Sequence, residues 1–472
     1  MDQIKTDICV IGAGSGGLSV ASGAVQMGAS AVLIEGGKMG GDCLNYGCVP
    51  SKALLAAGKA AAAHRAGAAL GVEPDEPVID YAAAKDHVAA VVGVIEPHDS
   101  QERFEGLGVQ VIRDYARFVS PTEVEAGGKR ITARRFVVAT GSSPFVPPIP
   151  GLDAVPYLTN EDIFDLRDAP GHLLIVGGGP IGLEMAQAHR RLGCKVTVVE
   201  GAKAMGGDDP EAAAVVIAAL RGEGVEIVEG AQVELVRGRP GAIEVQVAGG
   251  TVFVGTHLLM AVGRKPNVDR LNLDAAGIKH GRRGIETDAH LRSSNRKVYA
   301  IGDIAGRGQF THVAGYQAGV IIRSMLFALP SKARADHIPH VTYTDPELAQ
   351  VGLTESAARH KFGAGLQVMQ LGFDANDRAQ AEGKTKGLIK VMVIKGRPVG
   401  ATIVGPNAGE MIGLWSLALA NRLKMGAIAG TVLPYPTMGE LSKRAAGAYF
   451  SPKLFENPLV KRVVGLVQRL VP

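Results

Sequence analysis

Two cysteines five positions apart, Cys43 and Cys48, are the residues of this sequence best suited to chemistry. They stand in Gly40-Gly41-Asp42-Cys43-Leu44-Asn45-Tyr46-Gly47-Cys48-Val49-Pro50-Ser51-Lys52. Pro50 suits the first turn of a helix, and residues 51–63 are Ala-rich and helical in pattern. Cys48 is therefore expected at a helix N-terminus, where the dipole favours a thiolate. Lys52, one turn on, adds positive charge on the same face. The pair could be two buried thiols, half of a zinc site or a reversible disulfide. Zinc would need two more ligands. The remaining Cys9 and Cys194 fall on expected buried strands or their edges.

The elements around the pair narrow the choice. Residues 6–11 read as a short buried strand, followed by a turn with Gly12, Gly14 and Gly17 in the spacing G-x-G-x-x-G. A helix over 18–27, a strand from Ser30 to Ile34 and the acid Glu35 complete the unit. That order fits a dinucleotide site: the glycines allow the tight turn, the approach of a pyrophosphate and close helix–strand packing. The helix N-terminus offers free N–H groups to phosphate, and Glu35 would accept from an adenosine ribose. The unit recurs. A strand at 172–176 leads to Gly177, Gly179 and Gly182, a helix to about Leu192, a strand from Lys195 to Val199 and Glu200. Gly12 to Glu35 and Gly177 to Glu200 are both separations of 23 residues. Two ordinary Gly-rich turns are the bland alternative, and the matched context weighs against it. Two dinucleotides on one chain suggest electron transfer between them, commonly from a nicotinamide to a flavin. A cysteine pair just after the first site then reads as a reversible disulfide facing a flavin.

GGDCLNYGCVPSKAL resembles the redox-active motif of the class I pyridine nucleotide-disulfide oxidoreductases, which include dihydrolipoamide dehydrogenase, glutathione reductase and mercuric reductase. Ala139-Thr140-Gly141, Ala261 to Asn267 and Val298 to Asp303 resemble further family segments, in family order. The resemblance implies an α/β fold with two Rossmann-like domains and a C-terminal α+β interface domain. FAD would bind a discontinuous domain of residues 1–150 and 270–337. NADH or NADPH would bind 151–269, and 338–472 would pair two subunits into a homodimer. Cys48 matches the flavin-proximal thiol and Cys43 the interchange thiol that attacks substrate. Lys52 and Glu184 match an ion pair beside the flavin ring; by itself Glu184 would read as a helix surface residue. Asp303 matches the acid on the flavin ribityl chain, with a helix N-cap as the bland reading. Further flavin contacts are implied at Gly41, Lys52, Ala116, Thr140, Gly141 and Thr311. Gly263 and Arg264 join Gly177, Gly179, Gly182 and Glu200 at the second nucleotide.

Glu200 favours NADH, because a carboxylate accepts from a free 2′-hydroxyl and repels a 2′-phosphate. The pattern breaks near the C-terminus. Disulfide-reducing members carry His-Pro-Thr-x-x-Glu there, whereas this chain has Tyr435-Pro436-Thr437-Met438-Gly439-Glu440. A phenol with pKa near ~10 does not serve as a base at pH 7 as an imidazole near ~6.5 does. Mercuric reductases resemble this chain in having Tyr at that place, but no cysteine follows Cys194, and their leading metal-binding domain is not expected here. Three acceptors stay open: a disulfide, a soft metal ion, or a quinone or other small molecule. A nucleotide-binding scaffold without turnover is disfavoured by the intact Cys43, Cys48, Lys52 and Glu184.

The tail over 457–471 places apolar residues at 459, 460, 463, 464, 467, 470 and 471, one face of a helix. Lys461, Arg462, Gln468 and Arg469 take the other side. Packing on its own subunit or the dimer partner is the favoured expectation. The alternative is peripheral contact with the inner face of a membrane. From residue 441 onward six cations face the single acid Glu456, while the whole chain of 472 residues carries only +4. That small excess gives no case for nucleic acid. Apolar residues at 46 % allow large cores, and the length suits about three domains. Four cysteines make no disulfide scaffold. No apolar run is long enough to span a membrane. No secretion signal is read at the start, so a cytoplasmic protein is expected.

Overall fold

The computed structural model describes residues 2–471. Contacts divide the chain into two units. One runs up to Ala62 and includes Pro77–Gly201 and Gly230–Arg334; the other takes Ala63–Glu76, Ala202–Glu229 and the chain from Ala335 onward.

In the first unit, β1 (Asp2–Ile11) leads into α1 (Ser15–Gln26) and β2 (Ala31–Ile34). Ile8, Cys9, Val10 and Ile11 are all buried, as a parallel strand covered on both faces requires. The short α2 (Gly41–Asn45), then α3 (Cys48–Arg65) and α4 (Tyr81–Asp99), precede β3 (Gln110–Ile112), β4 (Arg117–Ser120), β5 (Glu123–Ala126) and β6 (Lys129–Val138). The sheet runs β3-β2-β1-β6-β5-β4, parallel from β3 to β6 and antiparallel beyond. A second parallel sheet uses β7 (His172–Val176), α5 (Pro180–Arg191), β8 (Lys195–Val199) and β9 (His257–Met260), with β7 between β8 and β9. The chain then returns to the first sheet. β10 (Val298–Ala300) pairs parallel with β6, and α6 (Thr311–Leu326) follows.

The second unit is built on an antiparallel sheet of β11 (Pro339–Thr342), β12 (Glu347–Gly352), β13 (Gln367–Gly372), β14 (Leu388–Ile394) and β15 (Arg397–Gly405) in the order β11-β12-β15-β14-β13. Its core gathers around Trp415 of α7 (Ala408–Ala420), whose indole N–H donates to Ser442 Oγ on α8 (Glu440–Ala448) at 3.1 Å. The expected tail helix forms as α9 (Pro458–Leu470), but none of its residues is buried. Packing against its own chain, one half of the favoured expectation, is therefore not seen: the apolar stripe lies open. No helix among the described residues is long and apolar enough to cross a membrane.

Candidate functional site

The two glycine turns have nearly the same backbone. Gly12 and Gly177 have φ of +104° and +114°, conformations that L side chains rarely adopt. A Cβ on either would lie 2.4 Å from a carbonyl oxygen, Ala139 O or Ala261 O. A Cβ on Gly17 or Gly182 would run into Gly12 O or Gly177 O. Gly14 and Gly179 cap α1 and α5 with φ −80° and ψ within a degree of each other, and no side chain caps either helix. Their missing Cβ atoms leave room, with nothing nearer than 4.0 Å at Gly14 and nothing within 4 Å at Gly179. Open space beside uncapped N–H groups fits a pyrophosphate in both folds. The closing acids brace the turns: Glu35 Oε2 accepts from Ala13 N at 2.6 Å and Glu200 Oε2 from Gly178 N at 2.7 Å. Glu35 Oε1 also accepts from Gly37 N. Bracing of the turn is thus a role for both carboxylates beyond the ribose contact expected from sequence.

The cysteines meet because α2 and the start of α3 fold against each other at Gly47. A Cβ there would lie 2.9 Å from Asp42 Oδ2 and 3.4 Å from Cys43 Cα. Cys48 opens α3, as its spacing to Pro50 predicts, and its Sγ lies 3.4 Å from Thr311 Oγ1 at the start of α6. The sulfurs are unequal. A hydrogen bond from Cys43, the Thr311 hydroxyl and the Lys52 charge pull the Cys48 thiol down to about 6, against the effect of burial. The same hydrogen bond, with burial, pushes Cys43 up. Lys52 Nζ pairs with Glu184 Oε2 at 2.7 Å. Glu184 is 5 % exposed, so the surface position its pattern suggests is corrected: α5 turns it inward toward α3. A pocket of about 390 Å³ opens beside Cys43, with Ser19, Asp99, Arg103 and Thr311 among its walls. Burial raises the Asp99 carboxyl.

Asp303 accepts from Ser142 Oγ at 2.5 Å, and burial raises its carboxyl. Arg264 donates to Ser142 O at 2.7 Å and pairs with Asp42 at 2.9 Å. Its guanidinium thus ties the segment that carries Cys43 to the strand of Ser142, a contact that the sequence pattern did not suggest. Asp42, although inside the cysteine motif, and Ser142 were not singled out from sequence, since their shared partner Arg264 lies far from both in the chain. Thr140 Oγ1 donates to Asn267 O at 3.0 Å, joining two of the family-like segments. Gly141 and Gly263 adopt positive φ, Gly41 sits against Gly14, and Ala116 is buried in the core beside Phe118.

In the second unit, Tyr435 is 69 % exposed and its hydroxyl donates to Asp377 Oδ2 at 2.9 Å. That carboxylate holds the phenol above its ordinary value. Arg444 Nη2 reaches Asp377 at 3.3 Å and Glu440 Oε1 at 3.6 Å. Tyr435 and Glu440 therefore lie around a shared acid and cation, and Asp377 is a partner the sequence reading missed.

Residues 6–318 match the pyridine nucleotide-disulphide oxidoreductase family and residues 338–446 its dimerisation domain. The chain belongs to this family, whose members depend on FAD and use a pyridine nucleotide. It is 35 % identical to a mercuric reductase of Bacillus cereus over 93 % of this chain and 70 % of that one. It is 33 % identical to a dihydrolipoyl dehydrogenase of Geobacillus stearothermophilus, over 94 % of this chain and 96 % of that one. Its fold resembles the Cu(II) complex of the HOCl-induced flavoprotein disulfide reductase RclA from Escherichia coli. The TM-score is 0.83 and the identity 27 %, with 93 % of this chain and 99 % of that one covered. The dimerisation domain supports a homodimer.

Proposed function

We propose that electrons pass from NADH through FAD to the Cys43–Cys48 disulfide and on to a disulfide or small acceptor. The observation that carries this reading is the inequality of the two sulfurs. FAD, when bound, delivers the equivalent of a hydride. Two electrons and one proton turn a disulfide into one thiol and one thiolate, which is the state this site favours: a thiol at Cys43 and a thiolate at Cys48. Cys43 lines the pocket and so meets the acceptor. As Cys43 attacks an acceptor disulfide, its proton moves along the hydrogen bond to Cys48, and one acceptor thiolate leaves. That thiolate takes the proton. Cys48, a thiolate again, attacks Cys43 Sγ in the mixed disulfide, regenerates the pair and releases the second thiolate, which water protonates. Lys52 and Glu184 hold charge where the hydride enters. Gly12, Gly14, Gly17 and Asp303 would hold the flavin nucleotide within 1–150 and 270–337. Gly177, Gly179, Gly182 and Glu200 would hold NADH within 151–269.

Tyr435 favours a second reading for the acceptor. With its hydroxyl donated to Asp377 and its pKa raised, it is no base for a thiol–disulfide relay. A soft metal ion or a quinone needs no such base, and the mercuric reductase relative and the Cu(II) complex of the structural neighbour support that class. The test is NADH oxidation with lipoamide, glutathione disulfide, Hg(II) and a soluble quinone. Faster turnover with the last two supports the second reading. Fast lipoamide turnover would return the acceptor to a disulfide. Absence of NADH oxidation with all four would remove the enzyme reading itself.

A further inference from the structure

We propose that α9 is an interfacial helix that holds this protein against an anionic lipid bilayer. The inference goes beyond the electron route, which needs no residue after Glu440. Along α9, Leu459 is 67 % exposed, Val463 60 %, Leu466 57 % and Leu470 71 %. At about 100° per residue the apolar side chains fill an arc of about 160°, with no polar residue inside it. Lys461 flanks one margin of that arc, and Arg462 and Arg469 flank the other, where their stems can lie along lipid while their charges reach headgroups. Pro458–Leu470 contains no acid. The helix is a finished element: Asn457 Oδ1 accepts from Leu459 N at 2.9 Å and Pro458 fills its first turn.

Charge decides the occupant. A second copy of α9 would bring three cations against three cations with no carboxylate between them. The family's dimerisation match also ends at residue 446, before α9 begins. An anionic surface neutralises all three cations and takes up the stripe at once. Thirteen residues make a helix about 20 Å long, too short to span a bilayer, so it would lie in the plane. One such helix binds weakly, and a homodimer carries two, which raises avidity.

The experiment is sedimentation of the full-length, FAD-loaded protein with vesicles of phosphatidylcholine alone or mixed with phosphatidylglycerol, at low and high salt. Binding is expected only to the mixed vesicles, at least ~10-fold weaker at high salt. The double substitution Val463→Glu with Val467→Glu should weaken it at least ~10-fold, as should the triple Lys461→Gln, Arg462→Gln, Arg469→Gln. Both variants should oxidise NADH with a soluble quinone at the parent rate, showing that the fold persists. No binding to mixed vesicles, or equal binding to neutral ones, would overturn the proposal. So would light scattering that shows an assembly above a dimer in the parent and its loss in Val463→Glu with Val467→Glu, which would assign the stripe to a second copy.

Discussion

Cys43 and Cys48 share one hydrogen bond, and it moves their thiols in opposite directions. The consequence is spectroscopic. Reduced enzyme should show a long-wavelength thiolate-to-flavin band that is lost in Cys48→Ser and kept in Cys43→Ser. Because the hydrogen bond from Cys43, the Thr311 hydroxyl and the Lys52 charge hold the Cys48 thiol below its ordinary value, the band should persist at pH values where an ordinary thiol is protonated and fade only on further acidification. A band that survives Cys48→Ser would end the assignment of the two sulfurs. Tyr435 makes the opposite case, a group locked away from proton transfer. Tyr435→His should raise lipoamide turnover by ~10-fold or more, since Asp377 and Glu440 both stand near to orient an imidazole. An unchanged rate would show that the missing base does not limit the reaction. The cysteine motif was legible in sequence because its parts lie within thirteen residues. Asp377 was not, because 58 residues separate it from Tyr435 and no local pattern links them.

At the scale of elements, α3 and α5 must lie close for Lys52 to reach Glu184. Gly58 permits it: a Cβ there would already lie 3.3 Å from Ala188 O. Gly58→Val should push the helices apart and slow flavin reduction by NADH several-fold, while adding little to the disruption already present in Glu184→Gln. Additive effects in stopped-flow reduction would separate the two and defeat this link. α4 is fixed by a buried cation. Lys85 Nζ donates to Ile163 O at 2.7 Å, and burial pulls its pKa down to about 8. Unfolded, it would hold its proton to ~10.4, so between those values the unfolded state binds more protons and stability rises with pH. Relative to Lys85→Met, denaturant unfolding should show the parent gaining up to about 3 kcal/mol from pH 8 to 10.4. A flat difference across that range would mean that folded Lys85 binds its proton as tightly as the unfolded chain does, so that burial does not lower its pKa. The twin glycine folds were readable in advance because strand, turn and helix follow one another in the chain. The inward turn of Glu184 and the burial of Lys85 were not, since each depends on a helix distant in sequence.

For the whole molecule, two facts bear on one question. The chain carries its family's dimerisation domain, and the residue that would stand in for the family's base lies in the second unit, 69 % exposed. The first unit holds, by itself, both glycine turns, the cysteine pair and the Lys52–Glu184 ion pair. If the acceptor site for disulfides is built from both subunits, as the family resemblance implies, dilution should separate two activities. Disulfide turnover per subunit should fall as the protein is diluted through its dimer dissociation constant, measured in parallel by light scattering. Reduction of the flavin by NADH, and transfer to a quinone that takes electrons directly from it, should hold constant per subunit. A disulfide rate that stays constant while the particle mass halves would show that one chain completes the acceptor site alone.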